Sequence, residues 1–417
     1  MVTNVENHVG INEASGNDIG PVIDRIISKI EPRLIAVRRD IHAHPETGFE
    51  TVRTAALIET ELRALGLEVH AGVGRTGLVA EIKGGAPGPC LILRADMDAL
   101  PIMEQTDLPF ASQEPGKMHA CGHDLHSAAL LGAATALVQI APKLAGTVRL
   151  IFQPAEETLD SGAAAMIADG AGKGADMAVA FHNQPELPIG ALLLNQGAST
   201  ASSDEFKVTV KGRSGHAAQP HLAIDPIAAA AHIITQLQTI VSRRMDPNDP
   251  LVLTIGQIAG GFTENIIPDA CTFSGTVRCR SATSRDMAEA ALRRICTNGA
   301  EAMELVAEVT YRRGVPALEN DARMVALAEN ALTAQFARAP QIAPGLDFGS
   351  EDFSYFSQIM PAIQLRIGSG QPGRQDRLHN SDYQPDEANI GMSARALTRL
   401  AVDLLAQNIN RDAGFSG

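Results

Sequence analysis

Met118-His119-Ala120-Cys121-Gly122-His123-Asp124-Leu125-His126 is the stretch around which the chain is organised. It sets a thiol and an imidazole two residues apart. In an extended segment residues i and i+2 project to the same side, so Cys121 and His123 can grip one ion or two neighbouring ions. Gly122 permits backbone geometries that strain other residues. Residues 124–141 are apolar and alanine-rich and read as a buried helix. A soft ligand pair at a loop-to-helix junction suits a transition metal better than calcium or magnesium.

Residues 77–84 and 90–96 precede this stretch and read as strands. The second ends in Leu93-Arg94-Ala95-Asp96-Met97-Asp98-Ala99-Leu100-Pro101. Two carboxylates at i and i+2 then sit at the C-terminal end of a buried strand, where α/β sheets place their sites. Downstream, strand 148–152 ends in Gln153-Pro154-Ala155-Glu156-Glu157. Adjacent residues point in different directions, so one glutamate can bind a metal while its neighbour faces the activated water. Hydrolytic metal sites need that division of labour. Strand 177–181 delivers His182 at its end, and 190–196 is a further strand. Nearer the start, 21–42 is an amphipathic helix through Ile23, Ile26, Ile27, Ile30, Leu34, Ile35 and Val37, and 51–65 is a second helix. Pro45 and Gly48 break the chain between them. Strand and helix alternate throughout, as in an α/β sheet whose loops converge at one edge.

The pattern changes after about residue 198. Strand 205–211 alternates with period two. A helix from Asp225-Pro226, an N-cap followed by proline at the first helical position, runs to about 244. Strands 252–258 and 271–279, a helix over 285–305 and a strand over 306–312 complete a β-α-β-β-α-β order, the ferredoxin-like split arrangement. Within it, His216 follows a turn built from Gly212, Ser214 and Gly215, and Asn265 and Arg278 are polar candidates. The α/β character resumes with helix 321–337, a capped turn at Gly349-Ser350-Glu351-Asp352-Phe353, strand 363–367, the run Arg377-Leu378-His379, and a last helix over 387–408. The expected partition is an α/β domain at 20–198 and 317–417, interrupted by a domain at 199–316.

The bulk composition fits this reading. A chain of 417 residues exceeds one compact core. Its 45% hydrophobic and 20% charged residues are those of a soluble globular protein. A net charge of −14 and the lack of a basic cluster argue against nucleic acid or an anionic membrane surface as partner. No apolar run approaches the ~20 residues of a membrane span. Five scattered cysteines do not suggest a disulfide framework, so a reducing cytoplasm is expected. Residues 1–19 lack the basic head and apolar core of a secretory signal and read as a loose arm.

The motifs taken in order resemble the M20 metallopeptidase family. These are His42 to Glu50, Arg94 to Pro101, Cys121-Gly122-His123-Asp124, Gln153 to Glu157, His182, His216-Ala217-Ala218-Gln219-Pro220-His221 and Leu378-His379. The match is to the family's amidohydrolase branch of hippurate hydrolases, N-acyl-amino-acid amidohydrolases and auxin-conjugate hydrolases, over roughly residues 20 to 410. The resemblance implies a mixed-sheet catalytic domain with an inserted lid, which also forms a homodimer. It implies two divalent ions (manganese, zinc, cobalt or nickel) held by Cys121, His123, Glu157, His182 and His379. Cys121 would replace the bridging carboxylate of other branches. Glu156 would be the general base, and Asp98 a carboxylate behind the ligands that orients a histidine. His216 would contact the oxyanion from the partner subunit, and Asn265 and Arg278 would hold the substrate carboxylate. Ser214 departs from the pattern, standing where many relatives have a second glycine.

The expected activity is hydrolysis of the amide bond of an N-acyl amino acid, hippurate-like or a related small conjugate, by metal-bound hydroxide. The alternatives are a dipeptidase or carboxypeptidase, a hydrolase of aromatic amines on the same site, and a metal-dependent scaffold without turnover. Intact Glu156 speaks against the scaffold, since a binder needs no base.

Overall fold

The computed structural model describes residues 19–343 and 347–407, so the N-terminal arm read from the sequence falls almost wholly outside the described residues. The chain opens with α1 (Gly20–Ala43), which buries Ile23, Ile27, Leu34, Val37 and Ile41 along one stripe. Then come α2 (Val52–Ala64), β1 (Val69–Val73), β2 (Gly77–Lys83), β3 (Ala86–Asp96), α3 (His123–Ile140), β4 (Ala145–Gln153), α4 (Gly162–Ala168), β5 (Met177–Pro188), β6 (Leu192–Asn195) and β7 (Gly197–Thr200). The middle block contains β8 (Asp204–Lys211), β9 (Gly215–His216), α5 (Pro226–Thr239), β10 (Leu251–Gly260), β11 (Ile266–Ile267), β12 (Ala270–Cys279), α6 (Ala282–Glu301) and β13 (Val306–Arg313). The chain returns through β14 (Leu318–Asn320), α7 (Ala322–Phe336), β15 (Gln341–Ala343), α8 (Ser354–Ser357), β16 (Ala362–Gly370) and α9 (Ala388–Leu405).

The large sheet is mixed, in the order β1-β2-β4-β3-β5-β16-β6-β15. Its centre, β4-β3-β5-β16, is parallel, whereas β1, β2 and β6 introduce antiparallel pairs. Strand alternation divides the apolar residues between two faces. Leu93, Leu150, Val179 and Leu365 pack with Leu131, Ala328 and Leu397 of the helices, while Ile92, Ile151 and Ala180 pack with Met166, Phe353 and Phe356. The parallel strands therefore end together along one edge, and the functional loops leave from it.

The second sheet, β10-β12-β8-β13, is antiparallel and carries α5 and α6 on one face over a core of its own. Asp225 caps α5 through the backbone N–H groups of Ile227 (2.9 Å) and Ala228 (3.3 Å). The chain enters this block after β7 and leaves it into β14, and those two strands pair antiparallel. At the junction Asp204, fully buried, accepts from Arg285 Nε (3.0 Å), Tyr311 Oη (2.8 Å) and the Gly314 N–H (3.1 Å).

Several boundaries differ from the sequence reading. β5 runs to Pro188, so His182 lies within the strand rather than at its end; the ladder to β16 continues as far as Gly370 opposite Pro188. α6 begins at Ala282 because Ser281 forms a capping box with Ser284. α5 gives way to a π-turn at Ile240–Arg244, and the last helix ends at Leu405. β1 is an additional strand.

Removing Arg285 leaves Asp204 buried without its cation, which costs about 3 kcal/mol or more. Arg285→Ala is expected to lower the denaturant midpoint accordingly, and an unchanged unfolding curve would show the pair to be dispensable.

Candidate active site

The ends of β3 and β4, the middle of β5, the start of α3 and the segment after β16 converge at the edge of the large sheet. β3 supplies Asp96 and, just beyond, Asp98. β4 leads through Pro154 to Glu156 and Glu157. β5 supplies His182, α3 begins at His123 just after Cys121, and His379 follows β16.

The loops take conformations that single residue types must tolerate. Gly122 has φ +88°, and a Cβ there would lie 2.3 Å from Asn183 Oδ1. Ala155 (φ 54°) and His379 (φ 63°) are left-handed without being glycine. Backbone bonds hold both: the Ala155 N–H donates to Gly48 O (3.1 Å) and the His379 N–H to Ala120 O (2.8 Å). Asp98 fixes the glutamate turn, because its carboxylate accepts the N–H groups of Glu156 (2.9 Å) and Glu157 (3.1 Å). Its Oδ1 also stands 3.5 Å from His123 Nδ1.

The structure brings Cys121, His123, Glu157, His182 and His379 together. Cys121 Sγ is 3.5 Å from His182 Nε2, Glu157 Oε1 is 3.1 Å from His379 Nε2, and His123 Nε2 is 3.9 Å from Glu157 Oε1. Within each of the sets Cys121/His123/His182, Cys121/Glu157/His379 and His123/Glu156/Glu157, ligand atoms lie within 4.8 Å of one another. His182 Nδ1 donates to its neighbour's carbonyl, Asn183 O, at 2.7 Å, which leaves Nε2 free to face Cys121. Among the described residues both ring nitrogens of His123 are buried without a hydrogen-bond partner. Buried polar atoms are rarely left so. A thiol, three imidazoles and a carboxylate with unsatisfied lone pairs fit a transition-metal centre.

Electrostatics reinforce this. Burial opposes charge on His123, but Asp96, Asp98 and Glu157 outweigh it and raise its pKa to about 10. Burial, then Glu157 and Glu156, raise the Cys121 thiol. Glu156 is raised by burial and by Glu351, Glu157 and Asp352. Glu157 is lowered: burial opposes its charge, but His379, His123 and the Cys121 thiol together outweigh it.

A layer of support lies beneath. Arg94 reaches Asp96 (2.6 Å), Asp352 (2.8 Å), Glu351 (3.1 Å) and Gln153 (2.9 Å). His126 stands 2.6 Å from Asp96 Oδ1 and 2.6 Å from Asn183 Oδ1, and Asn183 reaches Tyr383 Oη at 2.5 Å. The His42 to Glu50 run proves supportive as well. His42 and Arg38 both meet Asp124 (2.9 and 2.7 Å), and Glu46 accepts the first N–H groups of α2 from Arg53 and Thr54. Sequence reasoning assigns no role to Arg94, His126, Asn183, Glu351, Asp352 or Tyr383. His126, one helical turn beyond His123, carried a local signal, whereas Asp352, distant in sequence from Arg94, carried none.

His216, Asn265 and Arg278 lie in the middle block. His216 pairs with Ile266 across β9 and β11, and the Ala217 N–H donates to Asn265 O (3.0 Å), so His216 and Asn265 are neighbours. Arg278 stands opposite Val252 on β12. Among the described residues no hydrogen bond or ion pair joins these three to the Cys121 cluster.

The sequence profile of peptidase family M20/M25/M40 matches residues 92–403. The chain belongs to that family. It is similar to the N-acetyl-L-cysteine deacetylase of Bacillus subtilis (38% identical over 400 residues, 95% of each chain). It is also similar to thermostable carboxypeptidase 1 of Saccharolobus solfataricus (37% over 381 residues, 90% of this chain and 96% of the relative). Among solved structures it resembles the Bacillus subtilis YXEP protein, described as a dinuclear metal-binding peptidase of the M20 family. The TM-score is 0.81 at 34% identity, covering 91% of this chain and 99% of that one. This M20 protein is thus a metal-dependent amidohydrolase, and a scaffold without turnover is set aside.

Because His123 and Cys121 hold protons at neutral pH in the metal-free protein, an entering ion must displace them. Affinity should therefore rise with pH, about tenfold per pH unit for each proton released. Calorimetry in buffers of different ionisation enthalpy counts those protons, and a pH-independent affinity would contradict the assignment.

Proposed function

We propose that this enzyme hydrolyses the amide bond of N-acyl amino acids, hippurate-like conjugates among them. The observation that carries the reading is the meeting of Glu156 with His123 and Glu157, ligand atoms within 4.8 Å, beside His123 nitrogens that have no hydrogen-bond partner among the described residues. Cys121, His123, Glu157, His182 and His379 are the proposed ligands of two divalent ions, manganese, zinc, cobalt or nickel. Such ions supply Lewis acidity toward the amide carbonyl and acidify water.

The protein's own groups do the rest. Glu156 takes a proton from the attacking water and returns it to the leaving nitrogen. Its proton affinity is raised by burial and by Glu351, Glu157 and Asp352, which favours its holding the proton between the two transfers. Asp98 holds the turn that aims Glu156 and Glu157 in different directions. His216, exposed on its short ribbon, is proposed to reach the oxyanion from a partner subunit, and Asn265 and Arg278 to meet the substrate carboxylate.

That arrangement needs residues 199–316 to act as lid and dimerisation domain, inserted between catalytic segments 20–198 and 317–417. The outer edge of β10 supports dimerisation. It has no strand neighbour among the described residues, and Ile258, Phe262 and Ile266 are 54%, 103% and 53% exposed around it. Cys90, Cys121, Cys271, Cys279 and Cys296 form no disulfide among the described residues, which supports a cytoplasmic location. The similarity to a thermostable carboxypeptidase favours one alternative, cleavage of a C-terminal peptide bond at the same centre.

The test is amine release from N-acetyl, N-benzoyl and indole-acetyl amino acids beside dipeptides and aryl amides, with each metal and with chelator. Chelator-sensitive release from acyl amino acids is expected; faster cleavage of dipeptides would favour the peptidase. Glu156→Gln is expected to keep its metals while losing about 10²–10⁴ in turnover. Normal turnover would remove Glu156 as the base.

A further inference from the structure

Arg366 of β16 is the register partner of His182 on β5. Paired residues of a parallel ladder project to the same face, so the guanidinium belongs to the side of the sheet that carries the candidate centre. Arg366 is 7% exposed. The other buried arginines among the described residues each have a carboxylate: Asp124 for Arg38, Asp96 and Asp352 for Arg94, Asp204 for Arg285, Asp403 for Arg399. Arg366 has no hydrogen-bond or ion-pair partner among the described residues. A guanidinium cannot shed its proton, and a buried charge without a counter-charge is costly.

Arg366 lines a cavity of about 260 Å³, with Gln184, Asn195 and Ser199 on the same wall. Ser199 Oγ is buried and has no hydrogen-bond partner either. Glu186 and Asp347 also border the cavity, but both are exposed, and Asp347 already accepts the Gly349 N–H at 2.8 Å. An unpaired cation and an unpaired hydroxyl thus share one small concavity on the metal-ligand side of the sheet. Its volume lies below the ~300–1,000 Å³ of sites for whole drug-sized ligands, so it suits one functional group of a larger molecule.

We infer that this cavity is an anion subsite of the catalytic cleft, in which Arg366 and Ser199 bind a carboxylate carried by the substrate. The inference rests on the amidohydrolase reading for its ligand, but not for its chemistry. Arg366 offers two parallel N–H donors to a carboxylate and Ser199 a third, the geometry in which arginine discriminates a carboxylate from an amide of the same shape. Recognition here comes from the large sheet itself, independently of Asn265 and Arg278 in the middle block.

The test separates binding from turnover. Metal-loaded Glu156→Gln enzyme is titrated with N-acetylleucine, N-acetylglutamate and their primary amides. The free acids are expected to bind at least about tenfold more tightly than the amides. Adding Arg366→Met should cut that preference at least severalfold, leaving only what Asn265 and Arg278 supply; Arg366→Lys should keep more of it, and Ser199→Ala should weaken the acids severalfold. Comparing the α-amide with the side-chain amide of N-acetylglutamate shows which carboxylate sits on Arg366. A preference unchanged in Arg366→Met and Arg366→Lys, or absent from the parent, would overturn the inference. Failure of every amide to be hydrolysed by the unmodified enzyme would instead sink the proposed function and leave this binding result readable.

Discussion

Arg94 holds together the strand ends on which the centre stands. Its fully buried guanidinium meets Asp96 at the end of β3, Gln153 at the end of β4, and Glu351 and Asp352 in the segment before α8. Any of those carboxylates alone would be an uncompensated buried charge, and together they make the cation equally indispensable. The balance still favours negative charge: one guanidinium faces three carboxylates, and Glu156 lies against Glu351 and Asp352. That excess pulls protons onto His123 and Glu156. A divalent cation relieves the same excess, so the network that anchors the strands also prepares the site for metal.

A second knot secures the other half of the ligand set. Asp124 receives Arg38 and His42 of α1, and it sits in the first turn of α3 directly after His123. A carboxylate there also suits the positive end of the helix dipole. The alanine-rich sequence of α3 allows neighbouring helices to approach closely: a Cβ at Gly132 would fall 2.7 Å from Leu34 of α1 and 2.9 Å from Ala394 of α9. The helix that presents His123 is therefore clamped at its start by charge and along its length by packing.

Periodicity made most elements legible, since α1 and the central strands carry one face or one run of apolar residues that any tertiary context would bury. It failed where pairing overrode local preference. Residues 183–188 contain Pro185 and Pro188 and read as a loop, yet β16 holds them in the ladder. Val69–Val73 has a single buried residue and joins the sheet only through β2. At the site, the proposed ligands were reached through the resemblance, whose motifs stand in order along the chain; the residue types taken singly left each of them open. Their supports were not legible: Arg94 and Asp352 are joined only by the fold, and Arg366 looks like any strand arginine until its missing partner is seen. The neighbourhood of His216 and Asn265 was likewise invisible, because β9 and β11 are too short to carry a pattern.

The loops that carry the ligands share one more property. Gly122, Ala155 and His379 all hold left-handed backbone, a conformation disfavoured for residues with a Cβ, and each adjoins or is a proposed ligand or base. Ala155 and His379 are held there by bonds to Gly48 and Ala120, residues of other loops, so no ligand loop is shaped by its own sequence alone. Each loop constrains the next, from the turn after α1 through the glutamate turn to the segment after β16. The positions of the proposed ligands are thereby fixed by the protein's own contacts, which would lower the ordering cost of binding an ion. By linkage, an ion bound across those loops must in turn stabilise the contacts that shape them.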